Sequence, residues 1–517
     1  MNRGKGPRAA HAVFVLAALI LLSGCFSADR QTMPEASAKG ENDSGGKETG
    51  HRATLRIGIL SGERGDRYYR ETYTAVYEYT HPGVKIEIVP AVDTSRYRYI
   101  DPDSEDYKVE DPLKELQKLA EQGGADLFIL DAETLRAAAD NGWTTPLAPF
   151  MQRTGESESD FAPGVIDGLK KLGNGELQAL TPEFASTALY YNADWFEQND
   201  VKPPEDGMTW EQAFALARAA SGEKPGGGHM YGLSFTQTLA EDPLWAIRPY
   251  TEPLGLTTFD LEKRDMTVNT PQWQSVWTSL ADMTRQGAIP LDKRPAESPE
   301  KYDPFGGDLF LGGQTAMTIA DSGYAAELNT AAANAKWIPD FRPFEWKTVR
   351  LPVHPGFEGI GSGVKLGDTF SISSQSAKQE AAWDFIRFVT GEPMQEMRLQ
   401  DPYRMPSRLS VIAEEAKENG YRSEAFTELR PAEPIAERED EEVQNNPQLW
   451  QIGDTGKKLF IRVLQEQLPV DRALEQWEND GRKWLYGPFT EDGTLTMAHP
   501  ARKPEVAWSL SEAVKTS

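Results

Sequence analysis

Cysteine is nearly absent from this chain, because Cys25 is the only one among 517 residues. Histidine is also scarce, and the six histidines form no H-x-x-x-H or H-E-x-x-H pair that would indicate a zinc enzyme. The chain also lacks the G-x-S-x-G nucleophile motif and the G-x-x-x-x-G-K-[ST] phosphate-binding loop. We therefore expect no catalytic site of these types, no metal and no cofactor.

Basic residues are few relative to acidic ones. The chain has 54 Lys and Arg against 80 Asp and Glu, which gives a net charge of −26 and a pI near 4.8. This balance argues against nucleic acid as a partner, because phosphates select basic surfaces. A glycosidase stays open, since it needs only two carboxylates a few ångströms apart. The densest acidic run, at 437–442, is expected to be a solvated face.

Long apolar runs are also missing after residue 25, where none approaches the roughly 20 residues of a membrane-spanning helix. The N-terminus differs. Residues 1–8 carry three basic side chains, 12–22 are almost wholly apolar, and 23–25 read Ser-Gly-Cys. This order is typical of a secretory signal. It resembles a bacterial lipoprotein signal, which implies removal of residues 1–24 and attachment of a diacylglycerol to Cys25.

The segment that follows, residues 25–52, is polar, rich in Gly, Ser and charge, and has no apolar period. Such a composition cannot bury enough surface to offset the entropy of ordering. We expect a lipidated, disordered tether between the membrane and a folded body. The lone cysteine is then a lipid acceptor, and an exported chain with no other cysteine cannot form a wrong disulfide.

The body begins with alternating strand and helix patterns. Period-two or continuous apolar runs predict strands, and apolar residues three or four apart predict helices. Predicted strands lie at 53–60, within 81–90 and at 125–130, and predicted helices at 69–80, 111–122 and 132–142. This order indicates a parallel α/β sheet. Further helices are predicted within 202–220, 270–287 and 368–392, with a strand and a helix within 309–328.

Five blocks carry a family resemblance. They read HPGVKIEIV, ADLFILDAETLRAAADNGWTTPL, LTPEFASTALYYNADWFEQNDVKPPEDGMTWEQAFALA, GGQTAMTIADSG and FSISSQSAKQEAAWDFIRFVT, and they extend over nearly the whole body. In this order and spacing they resemble extracellular solute-binding protein family 1, the maltodextrin-binding-like receptors of ABC importers. The third block is the most specific.

The resemblance implies an α/β, two-lobed periplasmic-binding-protein-like fold with a hinge and an interlobe ligand cleft. One lobe would comprise 53–180 with a return near 315–365. The other would comprise 181–312 with the C-terminal helical part near 390–517. The hinge would include residues 180–182 and the strand around 316–318.

The function that the resemblance implies is that of a lipid-anchored substrate-binding subunit, not an enzyme. It would capture a small molecule and deliver it to ABC permease subunits. We expect this small molecule to be an oligosaccharide. The protein would be a monomer on the extracellular face of the cytoplasmic membrane. Two alternatives remain open at this point, a binding protein that feeds a sensor kinase and a surface glycosidase.

Candidate ligand contacts follow from matched positions and from sugar chemistry. Aromatic rings stack on the C–H faces of sugars, and carboxylates or amides bind their hydroxyls. The expected contacts are Trp245, Trp450, Asp131, Glu133, Glu183, Phe184, Ser186, Asp321, Tyr324 and Arg404. Tyr324 stands near where the family often has Trp. Trp245 and Trp450 are expected in loop-like segments outside amphipathic helices, on opposite sides of the sugar.

Overall fold

The computed structural model describes residues 53–486, except 64–65, 102–103, 105–106, 109, 226, 240–241, 262, 292–302, 399–403 and 434. The predicted signal peptide, the predicted tether and Cys25 lie outside the described residues. So does the part of the predicted C-terminal region that follows residue 486.

A five-stranded sheet, the first sheet, forms from segments far apart in the chain. Its spatial order is Val84–Asp93, Ala53–Gly62, Leu127–Leu130, Thr369–Ser373 and Thr144–Thr145. The first three strands are parallel, as the sequence pattern predicted. The fourth runs antiparallel to the third, pairing Thr369 with Leu130. The chain therefore returns to this sheet about 220 residues after leaving it at Thr145.

Helices pack on the first sheet and form the first lobe with it. Its helical segments are Arg67–Tyr69, Arg70–Thr74, Ala75–Thr80, Pro112–Glu121, Ala132–Asp140, Ala148–Thr154, Pro163–Leu172 and Gln379–Val389, with short 3-10 turns at Thr94–Tyr99 and Glu158–Asp160. The predicted helix at 69–80 is confirmed as one helical run with a π-turn in its middle. Asp111 and Asp131 cap the helices that follow them.

A second sheet has the order Met317–Asp321, Thr187–Asn192 and Trp346–Val349, with all pairs antiparallel. It forms the second lobe with the helices Ala193–Gln198, Trp210–Ala220, Pro271–Arg285 and Tyr324–Ala333 and the short segments Pro243–Ala246, Arg248–Thr251, Glu252–Leu254 and Ala335–Trp337. Two small ladders, Gly222–Glu223 with His229–Met230 and Phe259–Asp260 with Asp265–Met266, complete it. Thr209 and Thr270 cap the helices Trp210–Ala220 and Pro271–Arg285.

The chain passes from the first sheet to the second near residue 180. Leu180 bridges to Phe370 of the first sheet, and Glu183–Ala185 pairs with Lys365–Leu366 and Met405–Pro406 in a ladder of its own. The strand Thr187–Asn192 of the second sheet follows at once. The sequence-predicted hinge at 180–182 lies at this passage. The other predicted hinge strand, around 316–318, contributes to the second sheet itself.

The C-terminal part is mainly helical, with Glu392–Arg398, Leu409–Asn419, Glu424–Thr427, Ile435–Asn445, Trp450–Leu464 and Val470–Tyr486. A 3-10 turn, Pro447–Leu449, precedes Trp450, and the short strands Ile360–Gly361 and Arg430–Pro431 pair in parallel. The last two helices pack on Pro271–Arg285, where the rings of Trp277 and Trp477 stack at 5.4 Å. Within the described residues, no helix has the length and apolarity needed to cross a membrane.

Candidate functional site

Acidic and tyrosyl side chains gather at the carboxyl edge of the first sheet. Asp66 and Asp131 follow two neighbouring parallel strands, and such strands end at the same edge. Both act as helix caps. Asp66 Oδ1 accepts from the Tyr68 amide at 2.9 Å, and Asp131 accepts from the Thr134 amide at 2.7 Å and its hydroxyl at 3.0 Å. Asp131, a predicted contact, is thus held in place by its own helix.

Tyrosine hydroxyls at this edge converge on Asp368, which precedes the returning strand. Tyr73 donates to Asp368 Oδ2 at 2.9 Å and Tyr68 donates to the same atom at 3.3 Å. Burial raises the pKa of the Tyr69 hydroxyl, and the negative charge of Asp368 raises it further. The Tyr69 hydroxyl therefore stays protonated. Sequence reasoning missed all four residues, although the Tyr-Tyr pair behind a Gly-containing loop was a usable signal.

Glu133 lies in the first turn of the helix Ala132–Asp140. Burial raises the pKa of its carboxyl, and the positive charge of Arg438 opposes that shift. Arg438 belongs to the helix Ile435–Asn445, so the charge of a residue from a distant part of the chain acts on this carboxyl.

The passage between the lobes holds three predicted contacts in different surroundings. Glu183 is largely buried and lies 3.6 Å from the guanidinium of Arg404, another predicted contact. Phe184 is fully buried in the core. Ser186 is buried, and its hydroxyl donates to the carbonyl of Phe426 at 2.7 Å. The structure thus brings Glu183 and Arg404 together but places Phe184 and Ser186 in the packed interior.

Tyr324 does not replace an exposed tryptophan. Its side chain is buried, and its hydroxyl donates to the two carboxylate oxygens of Asp308 at 2.9 and 3.0 Å. The neighbouring predicted contact, Asp321, accepts from the Tyr324 amide at 3.2 Å and is half-buried. Tyr324 therefore serves to join the loop around Asp308 to the start of its helix.

Trp245 and Trp450 are both exposed, with 58% and 67% of each residue accessible. The expectation that they lie in loop-like segments is wrong. Trp245 is part of the helix Pro243–Ala246, and Trp450 begins the helix Trp450–Leu464, which is amphipathic. These two helices pack against each other. Both indoles therefore project from a single helical layer of the protein.

A cavity of about 460 Å³ lies apart from these groups. It is lined by Asp167, Lys170, Lys171, Asn174, Gly175 and Arg430. Lys170 pairs with Glu158 at 2.5 Å, and Lys171 lies 4.0 Å from Glu433. Because carboxylates of the protein already face these two ammonium groups, we assign no ligand to this cavity. Among the described residues, no cluster of His, Cys, Asp and Glu has the geometry to hold a metal ion.

Comparison with known proteins agrees with this architecture. The family profile described as "Bacterial extracellular solute-binding protein" matches residues 62–396. An extracellular solute-binding protein family 1 structure from Alicyclobacillus acidocaldarius matches with a TM-score of 0.53 at 16% identity, covering 85% of this chain and 100% of that one. UspC of M. tuberculosis matches with a TM-score of 0.50 at 16% identity, covering 83% and 100%.

A relative found by sequence matches a smaller part of this chain than these structures do. The sn-glycerol-3-phosphate-binding periplasmic protein UgpB of Escherichia coli K12 is 27% identical over 177 residues, which is 34% of this chain and 38% of that protein. The match thus spans well under half the length of the curated relatives.

The two sheets, each with its own helices and joined near residue 180, define a two-lobed solute-binding fold of the periplasmic type. The profile match extends over most of the chain, from the first lobe into the C-terminal helices. The chain therefore belongs to the bacterial extracellular solute-binding proteins, family 1.

Proposed function

We propose that this protein captures a carbohydrate, an oligosaccharide in particular, by closing its two lobes, and delivers it to an ABC permease. The observation that carries the proposal is the pair of exposed indoles, Trp245 and Trp450, on two helices that pack together. Leaving such rings in water forgoes a large apolar gain. Stacking on the C–H face of a sugar recovers part of that gain, while nearby polar groups bind the hydroxyls.

The charge of the carboxyl edge supports a neutral ligand over an anionic one. The relative described above binds sn-glycerol 3-phosphate, a phosphate ester. In this chain burial raises the pKa of the Tyr69 hydroxyl, and the negative charges of Asp368, Asp66 and Asp131 raise it further. A phosphate group at this edge would meet like charges, which cost affinity. Sugar hydroxyls, in contrast, can donate to carboxylates and accept from tyrosines.

We infer that the protein is lipid-anchored through Cys25 on the extracellular face of the cytoplasmic membrane and acts there as a monomer. The support is the lipoprotein-like signal and the family membership. A diacylglycerol supplies two acyl chains, and two chains are what stable anchoring takes. Cys25→Ala is therefore expected to move the protein from the membrane fraction into the medium or to leave it unprocessed. Normal processing with membrane retention would refute the anchor.

Carbohydrate capture is tested by a glycan array, followed by calorimetry and small-angle scattering with each hit. We expect binding with closure of the lobes and unchanged sugar in the product analysis. Cleavage of the sugar would instead identify a surface glycosidase. A permease gene beside this one is expected, and a sensor kinase gene in its place would favour the sensing alternative. No binding to any glycan would refute the proposal.

A further inference from the structure

The helix Ile435–Asn445, here the bridging helix, is fixed to the second lobe by two acidic side chains. Asp440 forms a bidentate pair with Arg248 at 2.6 and 2.8 Å. Glu439 accepts from the Thr258 amide at 2.8 Å and also from the Thr258 hydroxyl. Both partners belong to the region 242–261 of the second lobe. These contacts place one face of the bridging helix on that lobe.

A second face of the bridging helix carries charges that act on the first lobe. Arg438 and Glu442 are four residues apart and so share a face. Successive helical residues are about 100° apart, so the midpoint of this pair lies about 130° around the helix from the midpoint of Glu439 and Asp440. Charges of Arg438 and Glu442 both act on Glu133 of the first lobe. The bridging helix is therefore bonded to the second lobe, while its charges act on Glu133 of the first.

Just before the bridging helix, Glu433 is held by two cations of the first lobe. Arg136 Nη2 lies 2.7 Å from its carboxylate, and Lys171 Nζ lies 4.0 Å from it. Arg136 and Lys171 come from the helices Ala132–Asp140 and Pro163–Leu172, which pack against each other. The Glu433 clamp, defined as these three residues, thus joins the first lobe to the segment that leads into the bridging helix.

Two glycines allow that segment to approach the first lobe closely. Gly164 and Gly168 lie on one face of the helix Pro163–Leu172. A Cβ on Gly164 would stand 2.1 Å from the carbonyl oxygen of Leu429, and one on Gly168 would stand 2.7 Å from the ring of Pro431. The chain from 429 to 433 is therefore seated on the first lobe, only a few residues before it is fixed to the second.

We propose that the Glu433 clamp is an interlobe coupling that sets the separation of the lobes in the ligand-free protein. Each lobe is bonded to one end of the segment 429–440. Relative motion of the lobes must therefore strain or break the contacts at one of these ends. The first-lobe end is held by the clamp and by the close packing at Gly164 and Gly168, and the second-lobe end by the hydrogen bonds of Glu439 and Asp440. This proposal concerns the regulation of the site proposed above, but it is tested without ligand.

The test measures lobe separation directly. Spin labels are placed at Glu121→Cys on the first lobe and Glu197→Cys on the second, both exposed positions, in a Cys25→Ala background. Distance distributions are recorded by electron paramagnetic resonance on the ligand-free protein. Glu433→Gln and Glu433→Arg are compared with the double variant Arg136→Glu with Glu433→Arg. Arg472→Glu is the matched control, because Arg472 pairs with Glu475 at 2.8 Å within one helix.

We expect each Glu433 variant to broaden or shift the distribution, with a roughly 2- to 5-fold change in the ratio of lobe arrangements, as the strength of a half-exposed ion pair permits. The charge-swapped double variant should return toward the parent distribution, and Arg472→Glu should match it. Parent-like distributions for both Glu433 variants would overturn the proposal. So would a double variant that keeps its native circular dichroism but does not recover. Because no ligand is present, neither outcome depends on whether the protein binds carbohydrate.

Discussion

Replacement of Trp245 or Trp450 by alanine removes an indole that the fold leaves largely in water. If these rings stack on the ligand, the substitution lowers affinity and changes stability little. If they do not, affinity stays the same. Trp245 is 58% exposed and Trp450 67% exposed, so surface substitution is expected to alter the free energy of unfolding by no more than about 0.5 kcal/mol.

The expected loss of affinity follows from the exposed area. A tryptophan side chain has up to about 250 Å² of surface. The exposed part of Trp245 is then about 145 Å², and a sugar ring that stacks on one face covers roughly half of it. At about 25 cal/mol per Å², stacking contributes about 2 kcal/mol. Loss of the ring should therefore raise Kd roughly 20- to 40-fold.

The assay combines calorimetry with the sugar identified on the array and thermal melting without it. Two further variants calibrate the result. Trp337 is 75% exposed, but it lies just after the helix Tyr324–Ala333 and not on the two helices that carry Trp245 and Trp450. Trp337→Ala should therefore leave both Kd and Tm unchanged. Trp277 is fully buried, so Trp277→Ala should lower stability by about 3–5 kcal/mol.

Unchanged Kd in both Trp245→Ala and Trp450→Ala would refute stacking at this layer and remove both residues from the site. A similar loss of affinity in Trp337→Ala would also refute the reasoning, because exposure alone would then not locate the ligand. A large fall in Tm with parent-like Kd would assign the ring a packing role instead.

Two further predictions concern stability. Burial lowers the pKa of His354, and the hydrogen bond from its ring to the Tyr250 carbonyl opposes that shift. As pH falls, His354 is therefore protonated in the unfolded state before it is protonated in the folded state. The parent protein should therefore lose stability relative to His354→Gln as pH falls below about 6.5, and a pH-independent difference in urea unfolding would contradict this. Gly456→Ala should destabilise by about 1–3 kcal/mol, because the new methyl would lie 2.3 Å from the Trp477 ring. Gly453→Ala in the same helix meets nothing within 4 Å and should stabilise by about 0.5–1 kcal/mol, and equal melting temperatures for the two variants would contradict both values.

The sequence by itself determined the local elements. Thr209 and Thr270 begin their helices because each side chain accepts a hydrogen bond from the amide three residues ahead. The strand at 125–130 and the helix at 132–142 were predicted to within a few residues. Such features depend on neighbours in the chain, so the sequence contains the information directly.

Only the tertiary structure decided which distant segments meet. Thr369–Ser373 inserts antiparallel between Leu127–Leu130 and Thr144–Thr145, and nothing in its short apolar run specifies that direction. The acidic run at 437–442 was expected to be a solvated face. Glu441 and Glu442 are exposed, but Glu439 and Asp440 are partly buried and bond to Thr258 and Arg248, 181 and 192 residues away in the chain.

The candidate site divides in the same way. Residue type made both Tyr324 and Trp450 candidates for stacking, yet one is fully buried and the other is 67% exposed. The difference arises because Asp308 receives the Tyr324 hydroxyl within the core, while no described segment packs over the Trp450 ring to the same extent. The exposure of a side chain depends on all the segments that pack around it. It therefore cannot be read from the position of the residue in the sequence.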